Sequence, residues 1–303
     1  MPKKRTLILI AVIIIIMIAV PILAVLQRKK AAAESPQTQS LTLWQIDGFE
    51  GGRGSRSQYL QNVGNRCFKD EKIYLTVTSL SSDAARLNIE KGNLPDIISY
   101  PAGFYGIEHL INKEDFAYKC WCRGGYCFLT LAENATFDDI SKENTVVNAG
   151  KDNLASVTAV LCGLDSAAAE EPTNAYLKLI GGKYKYLLGT QRDIFRLKTR
   201  GVSFSVKPIT QFNDLYQNIS IITKNSQKYK LCVRYVNYLL EKGQVGNLGL
   251  FDGKDKNIDE DLSILCDVKF EKVLNCPCSK AYIDELKSAA VSCDLNKIKN
   301  ILK

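Results

Sequence analysis

The densest group of side chains capable of chemistry lies between positions 44 and 56, in WQIDGFEGGRGSR. Asp47, Glu50, Arg53 and Arg56 stand beside a glycine-rich turn, with the aromatic Trp44 and Phe49 among them. Carboxylates and guanidinium groups next to flat apolar rings suit a sugar, which presents hydroxyl edges and CH faces. The turn is not a nucleotide loop. A Walker phosphate loop ends in Gly-Lys-Ser/Thr and a dinucleotide turn reads GxGxxG, and GGRGS matches neither.

Catalysis is poorly provided for. The chain has one histidine, His109, within GIEHLINKED, so any Ser-His-Asp or Cys-His arrangement would have to use it. No HExxH, no GxSxG and no SxxK with its partner motifs is present. Acid pairs such as Asp47 with Glu50, or Asp138 with Asp139, lie near turns, and nothing marks either member as a buried acid. Binding is the expected class, with no cofactor. Ten cysteines are spaced irregularly; Cys120, Cys122, Cys127, Cys276 and Cys278 lack the CxxC spacing of a zinc site. Cys120 and Cys127 flank Arg123-Gly124-Gly125, so a bridge across a hairpin and free thiols both remain open.

The elements that must hold these residues follow from periodicity. Leu41, Leu43 and Gln45 alternate with Thr42, Trp44 and Ile46, a buried strand stopped by Gly48 and Gly51-Gly52. Ser55 with Gln58 forms a capping-box pattern, and Tyr59, Leu60, Val63, Cys67 and Phe68 then recur at helical spacing. A second strand is predicted from Ile73 to Ser79, a short helix from Ser82 to Gly92, and a third strand at Ile97–Tyr100. Alternation of this kind predicts a parallel sheet with helices on its faces, and ligands bind such sheets beyond the carboxyl ends of the strands. Further on, Tyr118 to Thr130 reads as strand-turn-strand, and residues 132 to 172 are polar and weakly periodic, with a helix over 152–164. Thr173 caps a helix ending at Gly181-Gly182, Tyr184 to Leu188 is a strand, and Thr190 to Asp193 caps another helix. A strand at 219–223, a helix closed by Gly243 and helical patches at 258–266, 281–293 and 295–302 complete the chain.

The formal charge of +8 hints at nucleic acid, but six of the basic residues lie within the first 30 positions, where there is no acid. The remainder carries 34 basic against 32 acidic residues, interspersed, so no nucleic-acid footprint is expected. Thr6 to Leu26 has no charge and, as a helix, would span about 31 Å, the thickness of a bilayer core. An uncleaved signal anchor is favoured over cleavage near Ala31 and Ala33, followed by a polar tether to Ser40.

Five stretches resemble, in order, the extracellular solute-binding proteins of ATP-driven (ABC) importers, in the large family that includes carbohydrate binders. They are WQIDGFEGGRGSR at 44–56, GNLPDIISYPAG at 92–103, WCRGGYCF at 121–128, GKYKYLLGTQRDIFRL at 182–197 and YVNYLLEKGQVGNLGLF at 235–251. The resemblance implies an α/β, two-lobed periplasmic-binding-protein type II fold with an N-terminal transmembrane helix. It implies lobe one over 41–117 and 207–303, a shortened lobe two over 118–206, and an anchor and tether over 1–40. It also implies a body outside the cell membrane that binds a sugar and delivers it to membrane permease subunits. A degenerate receptor or envelope interaction protein is the alternative. Carried over residue by residue, the ligand-binding set is Asp47, Phe49 and Glu50 in lobe one, Trp121 and Tyr126 at the crossover, and Gln191, Arg192 and Asp193 in lobe two. The sequence departs from the family in the short segment between Tyr126 and Thr173, the missing lipobox cysteine and the Lys-rich tail after Asp252.

Overall fold

Alternation in the first folded stretch becomes strand β1 (Gln39–Ile46), whose Leu41, Leu43 and Gln45 are all fully buried. The computed structural model describes residues 39–51, 53–111, 118–150, 154–252, 260–274 and 278–303. The expected anchor over 6–26 and its tether lie outside them. Among the described residues no helix is long and apolar enough to cross a membrane.

After β1 come α1 (Arg56–Cys67), β2 (Ile73–Leu80), α2 (Ser82–Glu90), β3 (Ile97–Pro101) and β4 (Lys119–Arg123). These strands, with β10 (Tyr216–Ile221), form one sheet in the order β2-β1-β3-β10-β4. Strand β1 runs parallel to β2 and β3, whereas β10 runs antiparallel to β3 and β4. A second sheet repeats the plan. Its order is β7-β6-β8-β5-β9, from β5 (Tyr126–Thr130), β6 (Thr145–Asn148), β7 (Ala168–Glu170), β8 (Tyr186–Thr190) and β9 (Ser205–Pro208). Helices α3 (Ala155–Leu161), α4 (Pro172–Ile180) and α5 (Gln191–Thr199) connect or follow its strands. Each sheet therefore has a parallel triplet whose first strand is central, then antiparallel strands that carry the chain between the lobes.

The Gly-Gly signal at 124–125 does not make a hairpin. β4 and β5 belong to different sheets, so Cys120 and Cys127 do not face each other, and the second sheet begins at Tyr126 rather than at 118. The reason is local packing: a Cβ on Gly124 would sit 2.5 Å from Gln191 Oε1, so the strand breaks where α5 presses on it. Nine cysteines are free among the described residues, and burial pushes the Cys122 and Cys127 thiols well up, toward the unreactive protonated form.

Helix α6 (Ser226–Lys242) packs on the first sheet, with Cys232, Tyr235, Val236 and Leu239 buried. The tail then crosses back. Phe251 pairs with Arg123 through both backbone bonds, and α7 (Glu260–Cys266) buries Leu262 and Leu265 against Leu129, Ile194 and Leu197 of the second lobe. Helices α8 (Lys280–Val291) and α9 (Leu295–Ile301) end the chain. The second lobe thus recovers from the C-terminus some of the cover that its short central segment lacks.

In α1, Gly64 is buried where a Cβ would lie 2.6 Å from Leu75 Cδ2 of β2. Gly64→Val should cost about 1–3 kcal/mol through overpacking, read as a lower urea midpoint with an unchanged slope.

Candidate functional site

A cavity of about 520 Å³ lies between the lobes, within the range of about 300–1,000 Å³ that small-molecule sites occupy. Lobe one supplies the turn from Asp47 to Arg56, at the carboxyl end of β1 and the start of α1. Lobe two supplies Asn148 at the end of β6 and Gly150 just after it, Glu171 and Pro172 after β7, and Thr190 at the end of β8. All these segments stand at carboxyl ends of parallel strands, where an open α/β sheet leaves a crevice.

Arg56 shapes the first wall. It is 4% exposed and ion-paired with Asp47, it donates to the Phe49 carbonyl at 2.6 Å, and its guanidinium lies 4.3 Å over the Phe49 ring. Gln45 Nε2 donates to Asp47 Oδ1 at 2.9 Å, so Asp47 is held from two sides. A buried guanidinium costs several kcal/mol of desolvation unless such partners surround it. The turn therefore takes the shape that satisfies Arg56.

Asp193 shapes the second wall. It is fully buried; its Oδ2 accepts the Thr190 amide at 3.0 Å and Asn148 Nδ2 at 2.8 Å, while its Oδ1 accepts Arg196 Nη1 at 3.1 Å. Burial raises its pKa, and the Thr190 amide, Asn148 and Arg196 oppose that rise. The capping box over Thr190–Asp193 forms as its sequence predicts. It also does more than cap, because it orders Asn148 and Thr190 on the cavity surface.

The walls meet at Glu50. Arg196 Nη2 reaches across from lobe two to Glu50 Oε1 at 2.9 Å, and Gln191 Nε2 donates to the Glu50 carbonyl at 2.9 Å. Gln191 Oε1 also accepts the Gly125 amide at 3.1 Å, which ties the same contact to the crossover. Arg53 completes the seam with its guanidinium 5.2 Å over the Phe195 ring.

Of the eight residues expected at the ligand, Asp47, Phe49 and Glu50 line the cavity. Gln191 and Asp193 are fully buried behind Thr190, and Arg192 is half-buried with its guanidinium 5.6 Å over the Phe195 ring. Trp121 lies in the lobe-one core, stacked 5.9 Å from Tyr59 and donating to Ser99 Oγ at 2.9 Å. Tyr126 is buried and donates to Asp214 Oδ1 at 2.7 Å. Sequence reasoning missed Asn148, Glu171 and Arg196. The Glu171-Pro172 pair was the available signal, since Pro at the first helical position marks a helix start. No group of three side chains able to hold a metal occurs among the described residues.

No family model matches this sequence, and no curated protein matches it. Solved structures do. PBP AttC from Agrobacterium tumefaciens C58, in an open unliganded conformation, gives a TM-score of 0.55 at 10% identity, covering 88% of this chain and 100% of that one. The cyclic alpha-maltosyl-1,6-maltose binding protein from Arthrobacter globiformis gives 0.54 at 9% identity, covering 87% and 99%. The periplasmic binding protein P5PA gives 0.50 at 12% identity, covering 88% and 100%. The fold is that of a periplasmic binding protein. This confirms the two-lobed α/β architecture implied by the five sequence motifs.

In this binding-protein fold the crossover region holds a buried acid, Asp214, between the lobes. Its Oδ1 accepts from Tyr126 of β5 and its Oδ2 accepts the Leu154 amide at 2.8 Å, at the start of α3. Burial raises its pKa from 3.8 to about 6, against the opposing pull of the Tyr126 and Leu154 hydrogen bonds. A folded-state value above the unfolded one means stability that is full below the unfolded pKa and lost as pH rises through about 6. Asp214→Asn, which keeps the shape without the charge, should remove this loss. Urea unfolding between pH 4 and 7 should show wild type falling by about 2–3 kcal/mol relative to the variant, with most of the change complete just above pH 6.

Proposed function

We propose that this chain is an extracytoplasmic substrate-binding protein that captures a sugar and hands it to the membrane permease subunits of an ATP-driven importer. The observation that carries this reading is the composition of the cavity between the lobes. Two of its three lining carboxylates are paired within the protein, Asp47 with Arg56 and Glu50 with Arg196, and Glu171 alone has no ion pair among the described residues, so the walls offer mostly fixed donors and acceptors. Phe49, Asn148 and Thr190 add an apolar ring, an amide and a hydroxyl. Neutral hydroxylated rings match that surface, because each hydroxyl can both donate and accept while a CH face lies on an aromatic ring.

The ligand contacts in this reading are Asp47, Phe49, Glu50, Asn148, Glu171 and Thr190. Gln191, Asp193 and Arg196 act from behind them. The Arthrobacter protein, similar in fold, is a cyclic alpha-maltosyl-1,6-maltose binding protein. Binding rather than catalysis is also the role that the single histidine leaves room for. The uncharged Thr6–Leu26 stretch would hold the body at the outer face of the membrane.

Thermal unfolding of the full chain against neutral mono- and oligosaccharides, with amino acids as the comparison, tests this reading. A sugar that binds only the folded state should add about 2.7 kcal/mol of stability at a hundredfold excess over its dissociation constant. Asp47→Ala should weaken the affinity tenfold or more, which at the same sugar concentration cuts that gain to about 1.4 kcal/mol or less, while unfolding stays cooperative. No shift with any sugar, or a shift with amino acids alone, would overturn the sugar assignment.

A further inference from the structure

The lobes are joined at two places. One is the seam at Glu50, Gln191 and Arg196, on the cavity wall. The other is the C-terminal helix α8, which rests on both lobes at once. On the lobe-one side, Ile283 Cδ1 lies 3.7 Å from where a Cβ of Gly103 would be, just beyond β3, and the fully buried Ala102 belongs to the same apolar cluster. On the lobe-two side, α8 packs on α3, sharing that cluster with Leu154, Val157 and Val160. Leu286 and Ala289 of α8 are fully buried. Helix α9 braces it from behind through Ile298 and through Tyr282 Oη donating to the Ile301 carbonyl at 3.2 Å.

Opening the cleft about the two crossovers would pull Ile283 away from Gly103, or α8 away from α3, and expose apolar surface either way. We propose that α8 is a strap that holds the cleft near its present width, and that the protein therefore takes a mono- or disaccharide and excludes longer chains. The size limit rests on the sugar-binding reading. The strap does not. The cavity of about 520 Å³ has room for about 17 waters at about 30 Å³ each, which suits one or two sugar rings. With the lobes held by the α8 cluster and by the Glu50 seam, that volume is the space a sugar can fill between them. The small polar space of about 110 Å³ between α8 and lobe one, bordered by Arg86, Tyr105, Asp284 and Lys287, is too small for a sugar ring with its hydroxyls.

Small-angle scattering of the full chain without sugar tests the strap. Ile283→Asp places a charge on the contact with Gly103, and the radius of gyration should rise above the wild-type value while unfolding remains cooperative. Gly103→Asp places the charge on the lobe-one side and should give the same expansion, so the test survives if one variant fails to fold. Hydrogen exchange on wild type adds an arm without substitution: amides of α8 should be protected as strongly as those of α3. An unchanged radius in the folded variants, or α8 amides exchanging far faster than those of α3, overturns the strap. The thermal assay with maltose and maltoheptaose then reads the size limit. Wild type should reach the same shift with maltose at a concentration at least tenfold lower than with maltoheptaose, and Ile283→Asp should narrow that ratio. Equal wild-type responses overturn the limit. Absence of every sugar response overturns the binding reading and with it the limit, and the scattering result still decides the strap.

Discussion

The candidate site depends on the burial of one guanidinium. Arg56 stands at the first position of α1, almost out of contact with water, and its Nε has no hydrogen-bond partner among the described residues. The remaining demands of that cation are met by Asp47, the Phe49 carbonyl and the Phe49 ring, all within the turn that leaves β1. A cation left unpaired in that position would destabilise the fold, so the turn has little conformational choice. The same folding of the turn brings Glu50 to the seam with lobe two. A single buried charge thus shapes one wall of the cavity and sets where the lobes meet.

Lobe two answers with a buried charge of the opposite sign. Asp193 gathers Thr190, Asn148 and Arg196, and Arg196 carries the network on to Glu50. A continuous polar path therefore runs from Asn148 and Thr190 on one wall to Glu50 on the other without passing through the cavity. Such a path fixes the orientation of the Asn148 amide, because its nitrogen must face the carboxylate. It also makes Asp193 matter to the cavity although its side chain is out of reach of anything inside.

Much of this was legible in the chain, and the parts that were not have a common cause. The β1 pattern, the Ser55 and Thr190 caps and the strand-helix alternation to Tyr100 all depend on neighbours within a few residues, and all appear in the structure. Strands β6 and β7 are four and three residues long, too short for a period of two to show, and they carry Asn148 and Glu171 to the site. The turn at 124–125 depends on Gln191, distant in sequence, so a local glycine signal was read as a hairpin when it redirects the chain between sheets. Trp121 and Tyr126 sit beside that turn, and their large apolar surfaces draw them into the interior, where Ser99 and Asp214 satisfy their polar ends. Aromatic residues near a strand end are drawn to the core unless something there keeps them wet.

The tail changes what closure means for this fold. In a two-lobed protein joined only by its crossovers, a ligand shifts the population toward the closed form by the difference between its affinities for the two forms. Here the lobes already share the Glu50 seam and the α8 cluster with nothing between them. On the proposed binding reading, the free-energy difference that a ligand would have to supply is reduced by whatever those contacts contribute, and the fraction of chains competent to hold it rises accordingly. Discrimination is then moved from the motion to the walls. With the cleft held near its present width, as proposed, a ligand would meet Asp47, Phe49, Asn148 and Thr190 in fixed positions, and a mismatch in shape or hydrogen bonding would not be absorbed by a partial closure.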